Sequence, residues 1–594
     1  MQKYAVNQYL ISNILSQVQL GQITIPEIQR PFVWDSIKVR DLMDSLYKGY
    51  PIGYIITWKN PNVRLKDGSQ SAGKTILIDG QQRITALRAA ILGEKIVNKE
   101  YKEVRIIISF NPQTGEFATL TPAIQKDSIW IADISEFFKS EDIFEIAEKY
   151  TELNPNVDRK MIQNNFQTLL AVKNKQIGFI DLTENLDIDT VTEIFIRINS
   201  KGVVLSQADF AMSKIASMEN GGINTRKLID YFCHLSIEPE FFKHISENDK
   251  EFASTPYLSH IEWLKNTNDN LYDPDYTDVI RVAFIKNFER GKLSDLVSLL
   301  SGRNFETREF EEDIAIHSLD KLTQGILEFT NQTNFERFVM IIKSTGFIDS
   351  SMISSGAALN FAFVLYLKLS EQKMEPGKIE NLVKRWFLMA ILTGRYSGSP
   401  ESSFDFDIKK IVEIGAEKYL ETVESSELSE AFWAVTLVSE LDKAIISSPY
   451  LSVFFVSQVH SNDEGFLSTD IKVRDMILHR GDIHHIFPKN FLRNKYDSRS
   501  DYNQIANFVY AQQEINIAIG DKSPDQYMGE IKNQCDTKKL KYGNITDKEQ
   551  LMDNLKKHCI PESIFEMNID DYPNFLLERR KLMANKIKSY YQSL

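Results

Sequence analysis

The spacing of apolar and polar positions changes along the chain and divides it into three regions. Over residues 1–110, β-rich runs alternate with segments of helical spacing, which predicts an α/β mixture. Helical spacing dominates residues 120–220 and is almost the only pattern across 221–450. After residue 450 the chain returns to short strands and polar loops, and it ends in a basic helix. We therefore predict three domains, at 1–220, 221–450 and 451–594.

Individual elements can be predicted from the same spacing. The predicted strands of the first region are Tyr54–Trp58, Thr75–Ile78 and Val104–Ser109, and its predicted helices include Ile37–Tyr47 and Gln82–Leu92. The basic helix at the end of the chain is predicted over Asn574–Tyr591. The fold class predicted from these elements is a multidomain α+β protein that is mainly helical.

The amino-acid composition limits the classes of protein to which this chain can belong. The apolar fraction of 43% and charged fraction of 25% are those of an ordinary globular chain. The three cysteines, Cys233, Cys535 and Cys559, are far apart, which excludes a disulfide framework and a thiolate zinc site and favours a cytoplasmic setting. No signal-peptide core precedes residue 20, and no apolar run is long enough to cross a bilayer, so no membrane partner is expected.

The charge of −13 is unevenly distributed along the chain. Residues 451–594 hold 20 basic and 20 acidic side chains, so the whole negative excess lies upstream of residue 451. The C-terminal region can therefore approach a polyanion more easily than the rest of the chain.

Candidate chemistry is concentrated in the C-terminal region, at Asp482–Pro488. Two adjacent histidines, His484 and His485, lie in a predicted strand and therefore point to opposite faces. A second predicted strand follows at Ala506–Tyr510, and a predicted helix then runs from residue 512 to Gly520. The order is a strand with histidine, a strand with asparagine and a helix with asparagine.

These residue types suit phosphodiester hydrolysis. An imidazole has the pKa needed to take a proton from water at neutral pH, and a side-chain amide can hold its second ring nitrogen. Asn507 is the candidate for that amide. A divalent cation must also neutralise charge on the phosphate and the leaving oxygen.

The segment His484–Lys489, with the sequence HHIFPK, and the later stretch Asn516–Pro524 resemble the HNH nuclease family. The resemblance implies a ββα-metal domain in which His485 is the general base and His484 and Asn516 bind a divalent metal. Many family members have aspartate where His484 stands. An imidazole there favours Mn²⁺, Zn²⁺ or Ni²⁺ more than Mg²⁺, so the identity of the metal stays open.

Basic residues near these histidines are candidates for contacts with DNA phosphates. We expect Lys489, Arg493 and Lys522 to take this role, and Lys495, Arg499 and the basic runs at 538–541 and 579–581 to be able to add to it.

A second motif, the sequence DGQQR, lies near the N-terminus. It consists of Asp79, Gly80, Gln81, Gln82 and Arg83. A strand that turns into a helix presents free N–H groups to an anion, and an arginine adds a bidentate phosphate donor. Asp79 could orient a metal or a ribose hydroxyl. The motif therefore predicts nucleotide binding.

Together with the segment Ile25–Trp34, this motif resembles the N-terminal domain of GmrSD-type modification-dependent restriction proteins. Stretches at Phe195–Asn199 and Arg395–Ser399 extend the resemblance along the chain. It implies a ParB/sulfiredoxin-like fold that binds and hydrolyses a nucleoside triphosphate, GTP or ATP, with Gln29 and Arg30 in the same pocket. The Walker A pattern at Gly68–Thr75 is interpreted as a chance match, because it leads into a strand rather than a helix.

The function predicted from the sequence is a metal-dependent HNH endonuclease of a restriction or anti-phage system. Its expected partner is double-stranded, modified foreign DNA, and nucleotide binding or hydrolysis is expected to control cleavage. The alternatives are a nucleotide-regulated DNA-binding regulatory protein and an NTPase toxin or antitoxin component, each with a non-catalytic HNH fold. A homo-oligomer is left open.

Overall fold

The computed structural model describes residues 3–24, 32, 34–58, 75–97, 103–140, 142–183, 186, 194, 206–218, 221–266, 271–309, 311–479, 481 and 483–594. This part of the chain is mainly helical with small sheets, and none of its helices combines the length and apolarity needed to cross a membrane. It divides into two compact units. The first comprises Met1–Thr267, Asp275–Thr277 and Val297–Leu319, and the second comprises Asn268–Pro274, Asp278–Leu296 and Asp320–Leu594. The predicted boundaries at residues 220 and 450 stay predictions.

A five-stranded mixed sheet organises the first unit. The described strands of this unit are β1 (Tyr4–Leu10), β2 (Ile23–Thr24), β3 (Ile55–Trp58), β4 (Thr75–Asp79), β5 (Ile96–Val97), β6 (Glu103–Val104), β7 (Ile108–Asn111), β8 (Glu116–Thr119) and β9 (Gln176–Leu182). The order in the five-stranded sheet is β1-β9-β3-β4-β2, with β1 antiparallel to β9, β9 parallel to β3, β3 antiparallel to β4 and β4 parallel to β2. Two further strand pairs, β5 with β6 and β7 with β8, are antiparallel.

Helices cover this sheet and extend the unit beyond it. The α-helices wholly within the first unit are Ile11–Gln19, Ser36–Lys48, Gln81–Leu87, Pro122–Lys126, Ile134–Lys139, Ile143–Leu153, Arg159–Leu170, Gln207–Ser217, Gly222–Ile237, Phe241–Asn248, Lys250–Ala253 and Pro256–Ile261. Asp35 caps Ser36–Lys48 by accepting the Lys38 N–H, and Gly49 ends that helix at a φ of 77°. Buried residues of the helices Ile11–Gln19, Ser36–Lys48, Gln81–Leu87, Ile134–Lys139, Ile143–Leu153 and Arg159–Leu170 pack into one apolar core with residues of the sheet.

The second unit is built almost entirely from helices. Tyr276–Phe288, Leu293–Leu300 and Glu312–Phe329 cross the unit boundaries. The remaining α-helices are Gln332–Ser344, Gly356–Glu371, Pro376–Leu392, Pro400–Ile414, Ala416–Glu427, Leu437–Glu440, Pro449–His460, Val473–Leu478, Lys489–Leu492, Arg499–Tyr502, Gln513–Ile519, Pro524–Thr537, Lys548–Lys557 and Tyr572–Gln592. The strands β10 (Ile483–His485) and β11 (Phe508–Tyr510) form its two-stranded sheet.

A buried carboxylate ties two helices of the second unit to the turn that follows a third. Asp407 is fully buried and accepts hydrogen bonds from both forks of the Arg395 guanidinium and from the hydroxyls of Tyr396 and Tyr419. A buried charge is tolerated only when it is paired and hydrogen-bonded in this way. Arg395 and Tyr396, which the sequence placed in a region of family resemblance, therefore have a structural role.

Most of the predicted N-terminal elements are confirmed. The strand at Tyr54–Trp58 begins one residue later, and the helix predicted over Gln82–Leu92 starts at Gln81 and continues as a π-helical turn from Arg88 to Leu92. The single strand predicted over Val104–Ser109 is wrong. The chain forms β6 and β7 there, and the intervening Arg105 bends inward to donate to the carbonyls of Ala89 and Ile106.

Candidate active site

The two histidines lie in a small strand–strand–helix unit. β10 pairs antiparallel with β11, placing His484 opposite Val509 and His485 opposite Phe508. The helix Gln513–Ile519, called the site helix below, begins three residues after β11 and ends at Gly520, whose φ is 61°. The second strand is shorter than predicted because Ile505–Asn507 forms a 3₁₀ turn. The order of elements is the predicted one.

His485 is half-buried and held in one ring orientation. Its Nε2 atom lies 3.0 Å from Oδ1 of Asn503. Because an amide oxygen only accepts hydrogen bonds, Nε2 must carry the proton, which leaves the lone pair on Nδ1. Burial lowers the pKa of His485 below its ordinary value, and the charge of Lys489 acts in the same direction, against the effect of Asn503. The neutral imidazole is thus favoured, and it can accept a proton at Nδ1.

The residue that holds the His485 imidazole is Asn503, not Asn507 as predicted from the sequence. Asn507, predicted to hold the imidazole, is fully buried and uses its amide on the backbone instead. Its Oδ1 accepts the Phe487 N–H at 2.8 Å, and its Nδ2 donates to the carbonyls of Phe487 and Tyr502. Asn507 therefore fastens the segment after β10 to the segment before β11. Asn503 lies in the same stretch of sequence, but no pattern distinguished one amide from the other.

The predicted metal ligands belong to the same unit. His484 in β10 is half-buried, and so is Asn516 on the site helix, whose backbone N–H donates to the Gln512 carbonyl. Among the described residues, no group of three or more His, Cys, Asp or Glu is placed to hold a metal. An imidazole and an amide oxygen are both neutral donors that a borderline divalent ion accepts. A cation here would need its remaining ligands from water and from a phosphate.

Two of the three predicted DNA contacts lie together beside His485. The Lys489 Nζ atom is 5.4 Å from the centre of the Tyr502 ring, and the Arg493 guanidinium carbon is 5.7 Å from it. The Tyr502 ring centre lies 6.5 Å from that of His485. Lys489 and Arg493 are exposed.

Lys522 has a different environment. Its amine donates to the Tyr542 hydroxyl at 2.5 Å and lies 3.2 Å from Glu530, which also accepts from Lys541. Because its charge is already paired, Lys522 is poorly suited to the phosphate contact predicted from the sequence.

The prediction that the basic run at residues 579–581 can add contacts to DNA is wrong for Arg579. Arg579 is fully buried rather than facing solvent, and burial lowers its pKa to about 10. Its guanidinium donates to the carbonyls of Ala506, Phe508 and His558. The Ala506 carbonyl lies just before β11 and the Phe508 carbonyl lies in it, so Arg579 supports the strand that pairs with the histidines.

The DGQQR motif forms the predicted strand–turn–helix junction. Asp79 ends β4, Gly80 turns the chain at a φ of 98°, and the helix begins at Gln81. Arg83 folds back onto the protein: its Nη1 atom donates to the Tyr54 carbonyl at 3.0 Å and lies 3.6 Å from Asp79 Oδ2. Gln82 is half-buried and Gln81 is buried. Gln29 and Arg30 lie outside the described residues.

A cavity of about 230 Å³ adjoins this motif. Its lining includes Gly53 and Tyr54, which contact Arg83, and Lys175, which precedes β9. A Cβ added to Gly53 would stand 3.2 Å from Arg83 Nη2, and the residue has a φ of 86°. Gly53 therefore allows the Tyr50–Tyr54 segment to approach the arginine closely.

Comparison with known proteins gives two matches. Residues 11–216 match the model of the GmrSD restriction endonuclease N-terminal domain. The N-terminal region is thus similar to a restriction endonuclease domain. The chain is also 22% identical to the uncharacterized protein MJ0686 of Methanocaldococcus jannaschii, over 643 residues that cover 97% of each protein. The name of that relative states no activity.

The region matched to the GmrSD domain contains one of the two candidate sites. The DGQQR motif and, apart from Gln8, the lining of its cavity lie within residues 11–216, whereas β10, β11 and the site helix lie outside that range. The match therefore supports the N-terminal resemblance directly. Inferences about the histidine site depend on its own geometry.

Proposed function

We propose that this protein is a metal-dependent endonuclease that cuts double-stranded, modified foreign DNA as part of a cytoplasmic restriction system. The observation that carries the proposal is the contact between His485 Nε2 and Asn503, which leaves a basic nitrogen on a neutral imidazole. Similarity of the N-terminal region to a restriction endonuclease domain supports DNA as the substrate.

The geometry supports a hydrolytic step with His485 as general base. Nδ1 takes a proton from a water molecule while the water oxygen bonds to phosphorus, and the bond from phosphorus to the 3′ oxygen breaks. The leaving 3′ oxygen takes a proton from solvent, so the products are a 5′-phosphate and a 3′-hydroxyl, and the protonated His485 releases its own proton to solvent afterwards. Asn503 keeps the ring oriented during this transfer, and the Asn507 hydrogen bonds hold the strand ends on either side.

His484 and Asn516 would hold the divalent cation of this site. When bound, the cation supplies positive charge to the phosphate. Because both ligands are neutral, the charge of the ion is not cancelled by the protein and remains available to the substrate. A soft imidazole ligand favours Mn²⁺ or another borderline ion over Mg²⁺.

The proposal is tested by cleavage of supercoiled plasmid DNA that carries modified bases. We expect nicked or linear product with Mn²⁺, less with Mg²⁺ and none with EDTA. His484→Ala should raise the Mn²⁺ concentration for half-maximal cleavage by at least about tenfold, because one of two protein ligands is lost. Cleavage that persists unchanged in EDTA would contradict the proposal. Unmodified plasmid, treated in parallel, tests whether base modification matters.

The N-terminal motif is proposed to bind GTP or ATP and to control cleavage. Arg83 is bonded to the protein through Tyr54 and Asp79, and a nucleotide phosphate would compete for the same guanidinium. Exchange of these partners would move the junction between β4 and its helix. The adjoining cavity, which includes the Lys175 amine, gives space for a phosphate group.

Arg83→Ala should reduce GTP or ATP hydrolysis roughly 10- to 100-fold, the loss expected when a charged hydrogen-bond donor to phosphate is removed. Arg88→Ala is the matched control, because Arg88 lies one turn further along the same helical segment and pairs with Glu94. Equal hydrolysis by both variants would refute a role of Arg83. Plasmid cleavage by the same two variants shows whether nucleotide turnover controls the cut.

A further inference from the structure

Three basic side chains surround one tyrosine next to His485. Lys489 and Arg493 lie over the Tyr502 ring. Arg499 begins the short helix that Tyr502 ends, and its charge acts to lower the pKa of Tyr502. All three cations are exposed, and among the described residues none of them forms an ion pair with a carboxylate.

The tyrosine itself is fixed to the protein. Tyr502 is only 2% exposed, and the exposed side chains of Lys489 and Arg493 lie over its ring. Its carbonyl accepts from the amide of Asn507 and its neighbour Asn503 holds His485. The hydrogen bond from Arg493 lowers the pKa of Tyr502, and the charges of Lys489 and Arg499 add to this effect. The local field is therefore positive.

Two nearby lysines have a different environment. Lys495 is 2.5 Å from Asp570, and Lys522 is bonded to Glu530 and Tyr542. The charges of these two lysines are therefore paired with carboxylates, whereas those of Lys489, Arg493 and Arg499 are not paired with any carboxylate of the described residues. Cations held close together without acidic partners repel one another, and an anion between them relieves that repulsion.

We propose that Lys489, Arg493 and Arg499, arranged around Tyr502, form a phosphate clamp that binds the backbone of the nucleic acid independently of the metal. Tyr502 is a positioning residue: its ring holds Lys489 and Arg493 next to the general base. A strand held by the clamp brings its neighbouring phosphate to His485. The inference rests on the proposed function because it places the substrate of that site, and it assigns no role in base recognition.

The clamp is tested by binding of a labelled double-stranded DNA fragment in EDTA, where no cleavage occurs, at several salt concentrations. Each phosphate contact contributes about 0.9 to the slope of log affinity against log salt concentration. We expect Lys489→Gln, Arg493→Gln and Arg499→Gln each to reduce the slope by about 0.9. Lys495→Gln and Lys522→Gln, the matched controls, should leave it unchanged. Equal slopes in the two groups would overturn the proposal.

The role of Tyr502 has its own test in the same assay. Tyr502→Leu should weaken DNA binding several-fold in the parent protein but add nothing in the Lys489→Gln/Arg493→Gln double variant, because the ring acts through those two cations. An equal loss in both backgrounds would indicate a general structural role and contradict the positioning role. If the variants show the expected slopes but the protein never cuts plasmid, the phosphate clamp is supported and the nuclease proposal is contradicted.

Discussion

Replacing His485 by alanine should slow plasmid cleavage by about 10²- to 10⁴-fold, the usual contribution of a positioned general base. The His485 imidazole combines a lone pair, partial burial and a ring held in orientation by Asn503. Alanine removes the lone pair and leaves the attacking water to lose its proton to solvent. The measurement is the initial rate of nicking of modified plasmid at saturating Mn²⁺, so that a change in metal affinity does not enter the comparison.

His479→Ala is the control for this variant, because His479 is an exposed histidine that lies six residues before His485 and outside β10. It should cleave at the parental rate. Asn503→Ala should fall between the two, about 10- to 100-fold slower than the parent, because the ring loses its orienting partner but keeps its lone pair. If His485→Ala cuts as fast as His479→Ala, His485 is not the base.

The local elements of the candidate site could be predicted from the sequence. The strand predicted to hold His484 and His485 is confirmed as β10, and the helix predicted to start at residue 512 begins one residue later. These features depend on neighbours within a few residues, so a short window contains the information. The helix of the DGQQR junction is a similar case, because Gly80 is needed for its positive φ.

The partners of individual side chains could not be predicted in the same way. Asn503 and Asn507 are both amides in one stretch, and only the packed structure shows that the first faces His485 and the second faces backbone. Lys522 is paired with Glu530 across a turn, whereas Lys489 is unpaired among the described residues. Such differences arise from tertiary contacts between elements, which leave no periodic trace in the sequence.

The break between β6 and β7 has a comparable origin. The segment Val104–Ser109 has the composition of one continuous strand, but Arg105 finds buried carbonyl acceptors and the side chain of Asp133 inside the unit. Satisfying a partly buried guanidinium outweighs the small preference of the flanking residues for a regular strand. The strand propensity of this segment is therefore outweighed by polar contacts of Arg105, one of them to Asp133, 28 positions further along the chain.

Replacing Arg579 by methionine should lower the free energy of unfolding of the second unit by about 3 kcal/mol and abolish cleavage. The guanidinium is fully buried and donates four hydrogen bonds to the carbonyls of Ala506, Phe508 and His558. Methionine fills much of the same space but leaves three carbonyls without a donor, at about 1–3 kcal/mol each. Part of this loss is offset, because a buried charge without a carboxylate partner is itself costly.

The expected loss of activity follows from the position of these carbonyls. Ala506 and Phe508 flank Asn507, so releasing them loosens the strand that pairs with His485 and the amide that fastens it. Urea unfolding followed by tryptophan fluorescence gives the stability, and the plasmid assay gives the activity. Lys581→Met is the matched control: Lys581 is exposed two residues later on the same helix, and its loss should cost less than about 0.5 kcal/mol. If Arg579→Met were as stable as Lys581→Met but still did not cleave, the loss of activity would not come from a loosened β11, and the arginine would have to act on the substrate.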